Sequence, residues 1–204
     1  MVAKEMNDLK KALSKVMADL PRMQVLAVMI ERPASAKEIA GELDQPASKV
    51  RYHLRSLLEA GIIESSKEER RRGVVERFYR PAFPPLLEAR ETASLNRAER
   101  RRVSLTLSRV AFEDVTASLG SGVFDDRPNR TLHHTRLRVD PEGWSEIQRI
   151  HEEALAKVLE AKRRAEERLQ AEEAAEEIRA ASIFMCFELP AKAVKGGGAE
   201  DAEG

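Results

Sequence analysis

The chain has 204 residues, 42% hydrophobic and 34% charged but only 4% aromatic, enough for a real core in one or two domains rich in good helix formers. Its 35 basic and 35 acidic residues cancel, which excludes a protein that coats nucleic acid by bulk charge and leaves room for a local basic face. A single cysteine, Cys186, excludes an internal disulfide and any site built from several thiolates of one chain.

In chain order, Met6, Leu9, Leu13, Val16, Met17 and Leu20 recur at spacings of three and four, which predicts one amphipathic helix over residues 2–20. Pro21 restarts the pattern, and Met23, Val25, Leu26, Val28, Met29 and Ile30 make a second helix, to Glu31, apolar on nearly every side and so buried. Pro33 ends it. Ser35-Ala36-Lys37-Glu38 then reads as a capping box that opens a short helix to about Leu43, burying Ile39, Ala40 and Leu43. Asp44-Gln45-Pro46 is a turn, with Pro46 placed as the first residue of a helix to Ala60 and Gly61 as its left-handed cap.

Ile62-Ile63-Glu64-Ser65 is a strand candidate, Lys67 to Gly73 a polar hairpin tip, and Val74 to Arg80 the returning strand, stopped by Pro81. Ala82-Phe83-Pro84-Pro85 is a stiff linker. Leu86 to Leu119 reads as helical with an apolar row at Val103, Leu107 and Val110, and Gly120 to Gly122 and Asp125 to Asn129 are loops. His134 to Val139 alternates like a strand. Asp140 caps and Pro141 opens a long helix reaching about Ala181, and Ser182 to Glu188 is a final apolar strand before a disordered, glycine-rich acidic tail from Pro190. There is no internal repeat. The expected class is therefore mainly α with a small β-hairpin (α+β). Its parts are an amino-terminal helix-turn-helix with a wing over residues 1–81, a helical region with a long helix and a small sheet over 82–189, and a tail over 190–204.

The helix from Pro46 to Ala60 carries the functional signal. With Val50 turned to the core, Leu54, Leu57 and Leu58 share its side, while Ser48, Tyr52, Arg55 and Glu59 lie opposite, flanked by Lys49, Arg51 and Ser56. A polar outer face is the ordinary property of any amphipathic helix. Here a capped short helix and tight turn precede it, and Arg70, Arg71 and Arg72 follow on a hairpin with Arg77 and Arg80. A major groove admits one such helix, and Arg, Lys, Ser and Tyr suit its base edges and phosphates.

Ser35-Ala36-Lys37-Glu38-Ile39-Ala40, followed by Val50-Arg51-Tyr52-His53-Leu54-Arg55-Ser56-Leu57-Leu58-Glu59-Ala60-Gly61-Ile62-Ile63, resembles the ArsR-type winged helix-turn-helix transcriptional regulators over about Pro21 to Pro81. The resemblance implies double-stranded DNA as partner, with Gln45 to Arg55 beginning the recognition helix and Lys67 to Gly73 at the wing tip. His53 matches the family's histidine before leucine, and its place at the edge of the core favours packing over base reading. Thr135 to Trp144 and Phe187-Glu188-Leu189-Pro190 are similar to the effector or dimerisation region of related actinobacterial-type regulators, which implies that the two carboxy-terminal strands share a sheet.

Metal-sensing members of that family use paired cysteines or His/Asp clusters, and no Cys-x-Cys pair is present here. His133 and His134 are adjacent and would point to opposite faces of a strand, and His151 lies a helix away, so no metal and no cofactor is expected. Cys186 reads as a core thiol and Trp144 as a helix anchor. No phosphate-cradling loop, Gly-x-Ser-x-Gly elbow or His-Glu-x-x-His pair is present, so no enzyme is expected. No apolar run nears the roughly 20 residues that span a bilayer, and the polar start lacks a signal peptide's apolar centre, so a cytoplasmic protein without membrane contact is expected. The expectation is a homodimeric, sequence-specific regulator, open to an unknown small-molecule effector. DNA-contact candidates are Gln45, Ser48, Lys49, Arg51, Tyr52, Arg55, Arg70, Arg71 and Arg72. The alternative is a winged-helix module that binds another protein.

Overall fold

The computed structural model of the chain describes residues 2–71, 74–87, 89–171 and 176–190. It divides into two compact units, Met1–Arg130 and Thr131–Gly204.

The first unit begins with α1 (Val2–Met17) and α2 (Leu20–Glu31). The break between them is chemical: the Asp19 carboxylate accepts from the Arg22 amide at 3.1 Å, and Pro21 stands in the first turn, where its missing N–H costs nothing. Helix α2 is the central element. Met23, Val25, Leu26, Val28 and Met29 are all buried, and α1 and residues 47–59, 74–81 and 97–121 pack around it.

After α2 the chain makes a two-residue strand, β1 (Ala34–Ser35), that no sequence pattern announces. The Ser35 capping box then opens α3 (Ala36–Glu42), and a turn through Asp44 at φ +48° leads to α4 (Ala47–Glu59). Aspartate is one of the few side chains that tolerate this left-handed backbone. Pro46 stands one residue outside α4, with a non-helical backbone at ψ 132°, rather than at its first helical position. Gly61, at φ +67°, is the left-handed stop that the sequence implied.

The wing is longer than its polar sequence suggests. Strands β2 (Ile63–Arg71) and β3 (Val74–Pro81) pair antiparallel from Ile63 opposite Pro81 to Arg71 opposite Val74, with a bulge between Ser65 and Lys67. Lys67 to Arg71, expected in the tip, are therefore ladder residues; Arg72 and Gly73 lie outside the described residues. Charges that look like loop composition along the chain are matched across it: Arg77 meets Glu68 at 2.7 Å, Arg80 meets Glu64 at 2.8 Å, and the Lys67 ammonium lies 4.6 Å from the centre of the Phe78 ring. Strand β1 pairs with β3 on its other side, giving the order β1-β3-β2.

The helix expected from Leu86 to Leu119 is two helices, α5 (Ala89–Ser94) and α6 (Arg97–Ser121). Asn96 accepts from the Glu99 amide at 3.0 Å while the Glu99 carboxylate accepts from the Asn96 amide at 2.9 Å, a second capping box that starts α6 afresh. Val103 and Thr106 are buried, Leu107 and Val110 pack on the core, and Gln24 donates to Glu113 at 2.9 Å, so α6 lies against α1 and α2. Gly122, at φ +84°, ends α6 before a single 3-10 turn, Val123–Asp125.

In the second unit the Asp140 carboxylate caps α7 (Pro141–Gln170) by accepting from the Gly143 amide at 2.8 Å. The helix stops at Gln170 instead of running to about Ala181. Pairs one turn apart, such as Arg149 with Glu153 and Arg163 with Glu167, both at 2.6 Å, line its surface. Residues 131–140 and 176–190 form no strand, contrary to the alternation at His134–Val139 and the apolar run at Ser182–Glu188. Alternation favours extended chain, but a strand exists only where another backbone completes the ladder. Phe184 instead lies beside His151 of α7, ring centres 6.0 Å apart, and Cys186 and Trp144 are part-exposed rather than core residues. No described helix is long and apolar enough to cross a membrane. The architecture is thus mainly α with one small antiparallel sheet.

Candidate nucleic-acid interface

Helix α4 is held by one side. Val50, Leu54 and Leu57 are buried against the core, with α2, α3 and β2 as neighbours. The opposite side presents Ser48, Lys49, Arg51, Tyr52 and Arg55, all exposed, with Tyr52 63% accessible although it is aromatic. Gln45, in the turn before the helix, is also exposed and accepts from the Lys49 ammonium at 3.0 Å. Six of the nine sequence-derived candidates therefore share one surface. Leu58 is 38% exposed, so it does not join Leu54 and Leu57 in the core.

The remaining three candidates are on the wing. Arg70 is exposed on β2 opposite Val75, Arg71 ends that strand, and Arg72 lies outside the described residues. Arg77 and Arg80, which strengthened the basic reading of the hairpin, are committed to Glu68 and Glu64 across the ladder.

His53 sits where α4 meets α2. Both ring nitrogens are buried without a hydrogen-bond partner, and burial pushes its pKa below the ordinary 6.5. Asp19 pulls the other way, while Arg22 and Lys49 reinforce the lowering. The ring is consequently neutral near pH 7, with its edge against Tyr52 at 5.4 Å between centres. Beside it is a cavity of about 20 Å³ lined by Pro21, Gln24, Val25, Leu43, Gln45, Lys49, Val50 and His53. That space suits a water molecule, not an organic effector. The sequence signal for this junction was present in His53 at the edge of the apolar stripe, but the convergence of Gln24 and Gln45 beside it needed the fold.

The family model of a helix-turn-helix domain matches residues 21–66, from the first turn of α2 into β2. No curated protein matches. Among solved structures, reduced HlyU from Vibrio cholerae N16961 is 22% identical, with 54% of this chain and 97% of that chain covered and a TM-score of 0.32. A homodimeric winged helix-turn-helix DNA-binding domain, fragment 1–100 of Mb0332 from Mycobacterium bovis, described as a possible ArsR-family transcriptional regulator, is 18% identical. It covers 63% of this chain and 89% of that chain, with a TM-score of 0.33. Residues 21–66 are a helix-turn-helix domain. The chain resembles ArsR-type regulators in it, and β2 and β3 supply the wing.

Proposed function

We propose that this protein is a homodimeric transcriptional regulator that binds double-stranded DNA in a sequence-specific way. The observation that carries this reading is the division of α4: an apolar side fixed in the core, and an outer side of hydroxyl, phenol and cationic groups without a buried role. Such a helix can enter a major groove with its register set by the body of the domain. Ser48, Lys49, Tyr52 and Arg55 read base edges. Gln45 supports Lys49 at the entry of the helix, Arg51 binds phosphate, and Arg70, Arg71 and Arg72 reach the flanking backbone. Two copies place their recognition helices about one DNA turn apart.

The reading is tested by comparing Arg55→Ala with the parent chain on a duplex selected for binding and on random duplex. A loss of about 1–3 kcal/mol confined to the selected duplex marks a base-reading arginine. Equal losses on both make it a phosphate contact, and no loss on either removes α4 from the interface.

A further inference from the structure

The start of α6 carries charge that its own helix opposes. Four of its first six residues are arginines, Arg97, Arg100, Arg101 and Arg102, all exposed. The peptide dipoles of a helix leave its start positive, where acids are stabilising and cations are not. Arg97 and Arg101 also stand one turn apart, a like-charge spacing that disfavours the helix further. Nothing within α6 compensates, because the positions four residues before and after these arginines hold no carboxylate. The one acid of the first turn, Glu99, is bound to the Asn96 amide, and Arg100 donates to the Leu95 carbonyl. Among the described residues no carboxylate pairs with Arg97, Arg101 or Arg102. Other helical arginines are matched one turn away: Arg109 with Glu113, Arg149 with Glu153, Arg163 with Glu167.

The cluster also has a side. Val103 and Thr106 turn α6 into the core. With about 100° between successive residues, Arg97, Arg101 and Ser104 fall together on one outer flank. Arg100 lies between that flank and the core, and Arg102 lies round the other side. The flank is arginine and hydroxyl without acid, the same chemistry that the outer side of α4 presents. A guanidinium holds a phosphate through two parallel bonds, and a serine hydroxyl supplies a further donor. The Glu99 amide is already taken by the Asn96 cap, so side chains rather than the helix end carry the binding. Arginines that the helix disfavours and no acid neutralises fit a polyanion from outside the chain.

We propose that Arg97, Arg100, Arg101 and Ser104 form a second phosphate-binding surface. It takes the backbone of duplex DNA beyond the stretch met by α4 and the wing. The inference rests on the DNA-binding reading above and adds a contact outside the nine residues assigned there. Phosphate contacts of this kind add affinity and salt dependence and carry no base sequence.

The experiment compares the full chain with its Arg97→Gln, Arg101→Gln double variant on two duplexes. One is limited to the selected site, and the other carries about one helical turn more at each end. The parent binds the longer duplex more tightly and with the steeper log–log salt dependence. The variant binds the two alike, its slope on the longer duplex lower by about 2. Its thermal midpoint stays at or above the parent's, because cations have been taken from the helix start. A variant that keeps the parent's preference for the longer duplex, or that weakens equally on both, overturns the surface. A midpoint well below the parent's makes the arginines part of the fold and overturns it too. Retention on polyglutamate that the variant loses, with DNA binding unchanged, assigns the cluster to an acidic protein instead. A parent that binds both duplexes alike overturns this inference alone, whereas a parent that binds neither overturns the DNA-binding reading with it.

Discussion

The hydroxyl of Ser35 donates to the carboxylate of Glu76 at 2.6 Å, joining the cap of α3 to the middle of the wing. The same oxygen accepts from the Glu38 amide at 3.3 Å, and Glu38 returns a bond to the Ser35 amide at 3.1 Å and meets Arg32 at 3.3 Å. Because β1 also pairs with β3 through Ser35 opposite Phe78, the entry to the helix-turn-helix and the wing are fastened at one residue.

Ser35 is only 1% exposed, and Ser35→Ala removes the cap and leaves the partly buried Glu76 without that donor. The expected loss in unfolding free energy is about 1–3 kcal/mol, from the cap and a hydrogen bond to a charged group together. Urea denaturation measures it, and a midpoint unchanged from the parent contradicts this role.

How much of this was legible in the sequence depended on how local the cause is. The Ser35 box and the Gly61 stop are decided within a few residues, and both stand where the sequence put them. The polar face of α4 follows from periodicity alone. Strand β1 was invisible because two residues carry no pattern, and its pairing with Phe78 and Tyr79 is made by residues far along the chain. The wing length was hidden for a related reason: Lys67 to Arg71 read as a polar tip until Glu68 is set opposite Arg77 across the ladder. The start of α6 differs: Asn96 and Glu99 form a capping box that is visible in the sequence, inside a stretch of continuous helix-forming composition. Residues 134–139 and 182–188 show the limit of alternation and of a short apolar run, which favour a strand without supplying the backbone that completes it.

Gly61 is needed for its backbone. At φ +67° a side chain is strained, and a Cβ there would lie 3.0 Å from Cδ2 of Leu9 on α1. Gly61→Ala should therefore destabilise the chain by about 1–2 kcal/mol, seen as a lower thermal midpoint. A midpoint equal to or above the parent's means that the turn adopts another conformation.

The wing arginines should behave differently from one another. Arg77→Ala opens an exposed cross-strand pair with Glu68, so its effect on DNA affinity should be under about twofold. Arg70→Ala should weaken binding alike on selected and random duplex and reduce the log–log salt slope by about 1. Equal behaviour of the two variants in a salt titration contradicts this division of roles.

His53 gives a direction for acid sensitivity. Its folded pKa lies below 6.5, so between that lower value and 6.5 the unfolded chain binds more protons than the folded one. Stability should fall as pH drops through 6.5, with the loss complete below the folded value. Asp19 opposes this shift, and Arg22 and Lys49 favour it. His53→Gln should flatten the dependence of the unfolding midpoint on pH between about 7.5 and 5.5. Parallel curves for parent and variant would remove His53 as the cause.

The most direct test of sequence-specific, two-fold DNA recognition is selection of the full chain on a random duplex pool, with affinity of the enriched duplexes followed against salt. The account predicts a two-fold symmetric site with half-sites about one helical turn apart, bound far more tightly than random DNA. A pool that stays flat through successive rounds, with only weak and steeply salt-dependent retention, contradicts it.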